Sequence, residues 1–286
     1  WVEANKANIV TASYFFVGTE ADIQGIRPTY YYTFDNSVKN DEKVNQTIHW
    51  LNLNEQNRPH LITLYFGDMD KVGHDYGIND EELKKALFDL DRNLGDLFKG
   101  VSETGLPMNI IIVSDHGMGN QSTNKIIPID SIENDDLFMT IENGTIVNIH
   151  PKKDVEIDSV LQYLRNKESN FKAYKTENTP GFEYIPKNKN WGAIQLIPDY
   201  GYHFWNQRRK DALVEAGVTT FGVHGYDSKY KEMHGIFYAN GPAFKNGYEI
   251  PSIKNIHLYP LMCKILGLEI PKLIDGDINQ IESVLK

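Results

Sequence analysis

Three short polar segments carry the residue types that hold metal ions and act on phosphate groups. They are Gly67-Asp68-Met69-Asp70-Lys71-Val72-Gly73-His74-Asp75, Ser114-Asp115-His116-Gly117-Met118 and His224-Gly225-Tyr226-Asp227. Each segment supplies carboxylate oxygen, imidazole nitrogen or both, which are the ligand types that hold zinc where cysteine is absent. Two ions held about 4 Å apart can clamp a phosphate and stabilise the attacking and leaving oxygens of a displacement. The segments therefore predict a metal-assisted phosphate site.

The spacing within the segments limits how they can share an ion. Asp70 and His74 are four residues apart, so one helical turn or a tight loop can direct both at one ion. Asp115 and His116 are adjacent and would point to opposite faces of a strand, unless the chain bends at Gly117. Each pattern taken alone also fits a solvated loop or simple turn chemistry. The combination of all three in one chain favours the metal interpretation.

The elements next to these segments indicate why they would meet. The apolar runs at residues 61–66 (LITLYF) and 109–113 (NIIIV) predict buried strands, and the first two polar segments follow them directly. The third segment precedes a predicted strand over residues 235–239 (GIFYA). Apolar runs that alternate with amphipathic stretches predict βαβ units and a largely parallel sheet. Ligands of open α/β sheets bind outside the carboxyl ends of the strands, where the first two segments are expected.

Other patterns complete the predicted organisation. An amphipathic helix is expected over residues 80–99, with Gly100 as a left-handed cap at its end. Residues 119–210 change to short strands and turns, which predicts a small α+β insertion with a hairpin at Glu142-Asn143-Gly144. Further elements are predicted as a strand over residues 9–16 and helices over 41–53, 158–164 and 256–266.

Length, charge and cysteine content exclude several classes of protein. The 286 residues fit one large α/β domain with an inserted subdomain. A formal net charge of −10 argues against nucleic acid or an anionic membrane surface as the main partner. The single cysteine, Cys263, excludes a disulfide framework within the chain, and no apolar run reaches the roughly 18 residues that span a bilayer. Trp1 is not a start residue, so we expect the chain to begin partway through a domain.

At RPHLITLYFGDMDKVGHDYG, NIIIVSDHGM and HGYDSKYKEMHGIFYANGPAF the sequence closely resembles the type I nucleotide pyrophosphatase/phosphodiesterase family of the alkaline phosphatase superfamily. The resemblance runs from about residue 1 to about residue 268 and is weakest in the predicted insertion. It implies an α/β fold, an alkaline-phosphatase-like three-layer sandwich with a mostly parallel central sheet and a small α+β insertion. Residues 1–286 would form one phosphodiesterase catalytic domain that lacks its N-terminal part, with residues 119–210 as the insertion.

The resemblance also implies two zinc ions as cofactors. Asp70, His74 and His224 match the ligands of one zinc ion. Asp115 and His116 match half of the ligand set of the other. The family pattern Asp-x-x-Gly-His selects Asp70 over Asp68 as the ligand.

Aromatic residues are implied at the substrate side of the site. Tyr65 matches an aromatic residue that lines the base or leaving-group side, and Phe34 falls near a second one, where relatives often carry Tyr. Phe16 stands where relatives often carry Trp. Aromatic residues in strands are usually core residues, so this substrate-binding role competes with a packing role.

The family nucleophile is a Thr or Ser at a helix start, and we find no matching motif, so no catalytic nucleophile is expected within this chain. A missing N-terminal segment of the same protein is the expected partner. The implied function is zinc-dependent hydrolysis of phosphodiester or pyrophosphate bonds in nucleotides, which releases nucleoside monophosphates by a two-metal mechanism. The alternatives are a phosphodiesterase for lysophospholipid or choline-type substrates and an inert metal-binding fragment. The family is mostly exported, so a periplasmic or extracellular location is expected.

Overall fold

The computed structural model describes residues 1–181 and 189–286 of the chain. The helices are α1 (Val2–Lys6), α2 (Asn40–Leu51), α3 (Asp68–Tyr76), α4 (Glu81–Glu103), α5 (Ile157–Arg165), α6 (Gln207–Glu215) and α7 (Leu258–Ile265). The strands are β1 (Thr11–Tyr14), β2 (Tyr30–Tyr32), β3 (Leu61–Leu64), β4 (Ile110–Val113), β5 (Gly119–Ser122), β6 (Ile126–Pro128), β7 (Phe138–Glu142), β8 (Val147–Pro151), β9 (Phe171–Lys175), β10 (Ile194–Pro198), β11 (His203–Trp205), β12 (Thr220–Val223) and β13 (Phe237–Asn240). None of the helices in these ranges is long and apolar enough to cross a membrane.

The chain divides into two compact units. The first contains residues Trp1–Asp68, Ala86–Asp115 and Phe237–Lys286, and the second contains Met69–Lys85 and His116–Ile236. Within the predicted insertion, residues 119–181 and 189–210 belong to the second unit, and residues 182–188 lie outside the described part of the chain. The bounds of the expected insertion stay a prediction.

The first unit is built on a parallel sheet in the order β2-β1-β3. β1 is buried along its whole length, and Ala12, Tyr14 and Phe15 pack against Trp50 of α2. α2 buries one face because Val44, Thr47 and Leu51 follow helical spacing. These elements match the strand and helix predicted at residues 9–16 and 41–53, with slightly shorter bounds.

The same unit contains a second, antiparallel pair of strands. β13 pairs with β4 from Phe237↔Val113 to Asn240↔Ile110. Phe237 and Ile111 pack on a core of Phe244, Leu261, Ile281 and Val284, to which α7 contributes Leu261. The predicted strand at residues 109–113 and the predicted helix near the C-terminus are therefore confirmed.

The second unit contains an antiparallel sheet in the order β7-β8-β10-β9. Its buried face packs against α5, whose Val160 and Leu164 are fully enclosed together with Val147, Ile149 and Ile194 of the strands. The hairpin between β7 and β8 is confirmed, and Gly144 at its tip has a φ of +75°, which glycine adopts without strain. Two further strand pairs, β12 with β5 and β11 with β6, complete the described sheets of this unit.

The end of α4 corrects one prediction. The helix continues to Glu103, and the left-handed glycine that follows is Gly105, with a φ of +68°, rather than Gly100. Gly100 is buried inside the helix, where a Cβ atom would collide with Ile48 of α2. The sequence therefore contains glycine at this position for close helix packing and not for termination.

Two glycines of α4 give a matched test of that explanation. A Cβ atom at Gly95 would meet nothing within 4 Å, so Gly95→Ala should raise the free energy of unfolding by about 1 kcal/mol. Gly100→Ala must displace Ile48, and overpacking of this kind costs about 1–3 kcal/mol. Urea unfolding of both variants should therefore rank Gly100→Ala clearly below Gly95→Ala. Equal stability of the two would contradict the packing role of Gly100.

Candidate metal centre

Asp70 and His74 lie one helical turn apart on α3, which begins four residues after β3 ends. Their i,i+4 spacing places His74 Nε2 at 3.4 Å from Asp70 Oδ1. The sequence left a helix and a tight loop as alternatives here, and the structure contains the helix. One face of α3 thus presents a carboxylate and an imidazole to the same point.

His116 and His224 are brought together by the pairing of β5 with β12. Val223 is paired with Gly119, so the residue that follows β12 and the segment that precedes β5 lie side by side. The rings of His116 and His224 stack with their centroids 3.6 Å apart and their planes 14° from parallel. His224 Nε2 also lies 3.6 Å from Asp70 Oδ1.

These contacts form a cluster of ligand atoms within the second unit. One atom each of Asp70, His116 and His224 lies within 4.8 Å of the other two. Asp70 Oδ1 is buried, and among the described residues it has no hydrogen-bond partner. A buried anionic oxygen without a hydrogen-bond donor is costly, and a divalent cation between it and the imidazoles removes that cost. The donor set of one carboxylate and neutral imidazoles fits zinc.

Backbone carbonyl groups fix the orientation of two of the imidazoles. His74 Nδ1 lies 2.8 Å from the carbonyl oxygen of Gly222, and His116 Nδ1 lies 2.9 Å from that of Gly117. A carbonyl oxygen can only accept, so each Nδ1 donates, which in the neutral form of the ring leaves the lone pair on Nε2. This is the arrangement by which outer partners orient the histidine ligands of metal ions.

Close packing of backbone keeps the elements of the cluster together. A Cβ atom at Gly73 would lie 2.6 Å from Met118 Sδ, and one at Gly222 would collide with the backbone of Gly73. Gly117 is also closely packed, because a Cβ atom there would lie 2.6 Å from the carbonyl oxygen of His234. The role of Gly117 is therefore close approach of two backbone segments, which its sequence context alone did not distinguish from a bend.

The remaining predicted residues lie in the first unit. Asp115 is exposed and is the last residue of the segment Ala86–Asp115 of that unit. Tyr65 follows β3 and is partly buried, whereas Phe16 and Phe34 are exposed. Phe34 makes an edge contact with Phe15, at 5.3 Å between ring centroids. The metal role of Asp115 and the substrate role of the aromatic residues stay predictions.

Sequence reasoning missed Lys43, a buried lysine whose amino group contacts the backbone of Tyr65. Lys43 Nζ donates to the Tyr65 carbonyl oxygen at 3.2 Å and to Asn40 Oδ1 at 3.0 Å. Burial lowers the pKa of Lys43, and the charge of Asp68 opposes this shift. The signal in the sequence was a lysine on the apolar face of α2, between positions that pack against the sheet.

The model of the type I phosphodiesterase/nucleotide pyrophosphatase family matches residues 1–227. The chain belongs to this family. Mouse ectonucleotide pyrophosphatase/phosphodiesterase family member 1 is 30% identical over 299 aligned residues, covering 100% of this chain and 32% of the relative. The venom phosphodiesterase CdcPDE of Crotalus durissus collilineatus is 32% identical over 297 residues, covering 100% of this chain and 35% of the relative. The chain thus spans about a third of the length of these curated relatives.

Solved structures of the phosphodiesterase family confirm the predicted fold. Murine ectonucleotide pyrophosphatase/phosphodiesterase 5 matches with a TM-score of 0.89 and 27% identity, covering 100% of this chain and 74% of the other. An inactive threonine-to-alanine variant of the same murine protein, in complex with AMP, matches equally well. The α/β, alkaline-phosphatase-like architecture implied by the sequence motifs is therefore correct, and so is the family expected from them.

His203, in the second unit, generates a prediction about pH. Its ring is buried against Gly144 and Trp205, and among the described residues neither ring nitrogen has a hydrogen-bond partner. Burial, reinforced by the nearby charge of Arg209, lowers the pKa of His203 from 6.5 to about 3. As the pH falls below 6.5, His203 binds a proton in the unfolded chain but stays neutral in the folded chain down to about pH 3. The free energy of unfolding therefore falls over this range by up to about 1.4 kcal/mol per pH unit.

Urea unfolding measured between pH 7 and pH 4 tests this dependence. His203→Phe, which keeps a ring beside Trp205, should show a shallower loss of stability over this range than the natural chain. His60→Gln serves as the control because His60 is exposed, and it should follow the natural profile. Parallel profiles for the natural chain and His203→Phe would refute the assignment.

Proposed function

We propose that this protein hydrolyses phosphodiester or pyrophosphate bonds in nucleotides, with two zinc ions as cofactors, and releases nucleoside monophosphates. The observation that carries the proposal is the meeting of Asp70, His116 and His224 around a buried carboxylate oxygen. Membership of the phosphodiesterase family supports the reaction class. The complex of the murine relative with AMP supports a nucleotide as the ligand.

The proposal assigns each predicted ligand a place. Asp70, His74 and His224 hold one zinc ion, and Asp115 and His116 supply half of the ligands of the other. When bound, zinc supplies Lewis-acid stabilisation of the phosphate charge and lowers the pKa of the nucleophile. The carbonyl oxygen of Gly222 holds His74 in the tautomer that offers Nε2 to the metal.

The nucleophile in this proposal is a Thr or Ser on an N-terminal segment of the same protein outside this chain. The open edges of β3 and β4 support such a segment. Both are apolar strands, and in the described part of the first unit each is hydrogen-bonded to a strand on one side only. β3 belongs to a parallel sheet, and strands of such sheets are normally paired on both sides, so the second side of β3 supports a further strand. The threonine-to-alanine change in the inactive murine relative supports a hydroxyl nucleophile.

The same proposal places the protein outside the cytoplasm. The names of the relatives, an ectonucleotide pyrophosphatase and a venom phosphodiesterase, support an exported enzyme. For the substrate side we propose Phe34 and Tyr65 as residues that contact the base or the leaving group.

His224→Ala tests the metal assignment. Loss of one imidazole from a three-ligand set should reduce the zinc content by about one ion per chain after dialysis. In the longer protein that carries the nucleophile, hydrolysis of a nitrophenyl ester of thymidine monophosphate should fall by on the order of 10³-fold. Elemental analysis and initial rates measure both effects. His49→Ala, which removes an exposed histidine of α2, should change neither quantity. Full zinc content and full rate in His224→Ala would refute the ligand assignment.

Phe34→Ala tests the nucleotide assignment. Stacking of a base on an aromatic ring is worth about 1–3 kcal/mol, so in the longer protein that carries the nucleophile KM for the nucleotide ester should rise roughly tenfold with little change in kcat. Phe34→Tyr should retain most of the affinity. Phe88→Ala removes another exposed ring, on α4, and should leave KM unchanged. An equal rise of KM for a glycerophosphocholine ester would exclude base stacking, and preferential turnover of that ester would favour the choline-type alternative.

A further inference from the structure

The turn that carries His224 packs against the tip of the β7–β8 hairpin, which comprises residues 143–146. Thr145 at this tip is 6% exposed, and its hydroxyl group donates to the carbonyl oxygen of His224 at 3.3 Å. The two residues are 79 positions apart in the sequence. The hairpin therefore contacts the backbone of a metal-site residue to which it has no local connection.

A second contact at the same place is independent of that hydrogen bond. Gly225 follows His224 and has a φ of +94°, a conformation that glycine adopts readily. A Cβ atom on Gly225 would collide with Thr145 Oγ1 and lie 3.6 Å from Thr145 Cβ. The hairpin tip thus packs directly onto the turn, in a space that only glycine leaves open.

The hairpin tip is itself held in place. The carbonyl oxygen of Gly144 accepts from the backbone N–H of Phe204 at 2.9 Å, and the ring of His203 packs over Gly144. Within the tip, the N–H of Thr145 donates to the carbonyl oxygen of Asn143 at 2.9 Å. Because β11 contacts the hairpin tip through His203 and Phe204, the position of Thr145 beside the His224 turn is restrained.

We propose that Thr145 is a positioning residue for His224, and that its hydroxyl group sets the direction in which the imidazole approaches Asp70. The inference rests on the proposed metal function of this cluster. His224 lies on a short turn after β12, so its backbone carbonyl is the point at which a neighbouring element can fix it. Without the hydroxyl donor, that carbonyl group loses the hydrogen bond from Thr145 in a closely packed region, which weakens the constraint on the turn. Outer partners of this kind change metal affinity by roughly 10- to 100-fold.

Three variants of the chain test this role. Thr145→Val keeps the shape of the side chain and removes the donor, so zinc affinity should fall roughly 10- to 100-fold. Thr145→Ser restores the donor and should recover affinity to within about threefold of the natural chain. Thr104→Val is the control, because the hydroxyl group of Thr104, which follows α4, also donates to a backbone carbonyl oxygen, that of Val101 at 2.7 Å. This variant should leave affinity unchanged.

Two measurements on the folded protein separate positioning from stability. Zinc affinity is measured by competition with a chromophoric chelator, and the visible spectrum of the cobalt-substituted protein reports the ligand geometry. A shifted cobalt spectrum and weaker zinc binding in Thr145→Val, both restored in Thr145→Ser, support the proposal. A lowered melting temperature with unchanged affinity and spectrum in Thr145→Val overturns it while the metal function stands. Absence of zinc binding in the natural chain overturns the metal function and this inference with it.

Discussion

The buried oxygen of the Asp70 carboxylate is the constraint on which the metal cluster depends. It lies between the imidazoles of His74 and His224, with no hydrogen-bond donor among the described residues to compensate its charge. A structural role for this buried oxygen would call for a donor such as an arginine or a backbone N–H group, although the Asp70 side chain as a whole is 42% exposed. His74, His116 and His224 around it are ligand types for a metal ion, and backbone carbonyl groups orient the rings of His74 and His116. A cation bound between Asp70 Oδ1 and the imidazoles would therefore stabilise this cluster, as the proposed metal function requires.

Helical periodicity and strand register together bring the ligand groups of the cluster to one place. α3 sets the distance from Asp70 to His74 by helical periodicity alone, which is local and tolerant of change elsewhere. The meeting of His116 with His224 depends on strand register, because a shift of one residue between β5 and β12 would turn one ring away from the other. Gly73 on α3 and Gly222 on β12 allow the backbones of these two elements to approach each other without intervening side chains.

The sequence predicted what depends on local pattern. The apolar runs, the i,i+4 spacing of Asp70 and His74 and the Asn-Gly hairpin signal are all local, and the structure contains the corresponding elements. Gly100 was misassigned because a glycine that allows helix packing and a glycine that ends a helix look alike until the neighbouring helix is known. Lys43 and Thr145 were missed for a similar reason. Their partners lie 22 and 79 positions away, and no spacing rule connects them.

The open edges of β3 and β4 have a consequence for the behaviour of the chain in solution. LITL and IIIV combine high β propensity with no charge and no proline, and among the described residues each is paired with a strand on one side only. Edges of this kind pair readily with any extended strand that reaches them, including the same strand of another molecule. These two strands are thus expected to promote self-association as the protein concentration rises, and a charged residue introduced into either one should reduce it.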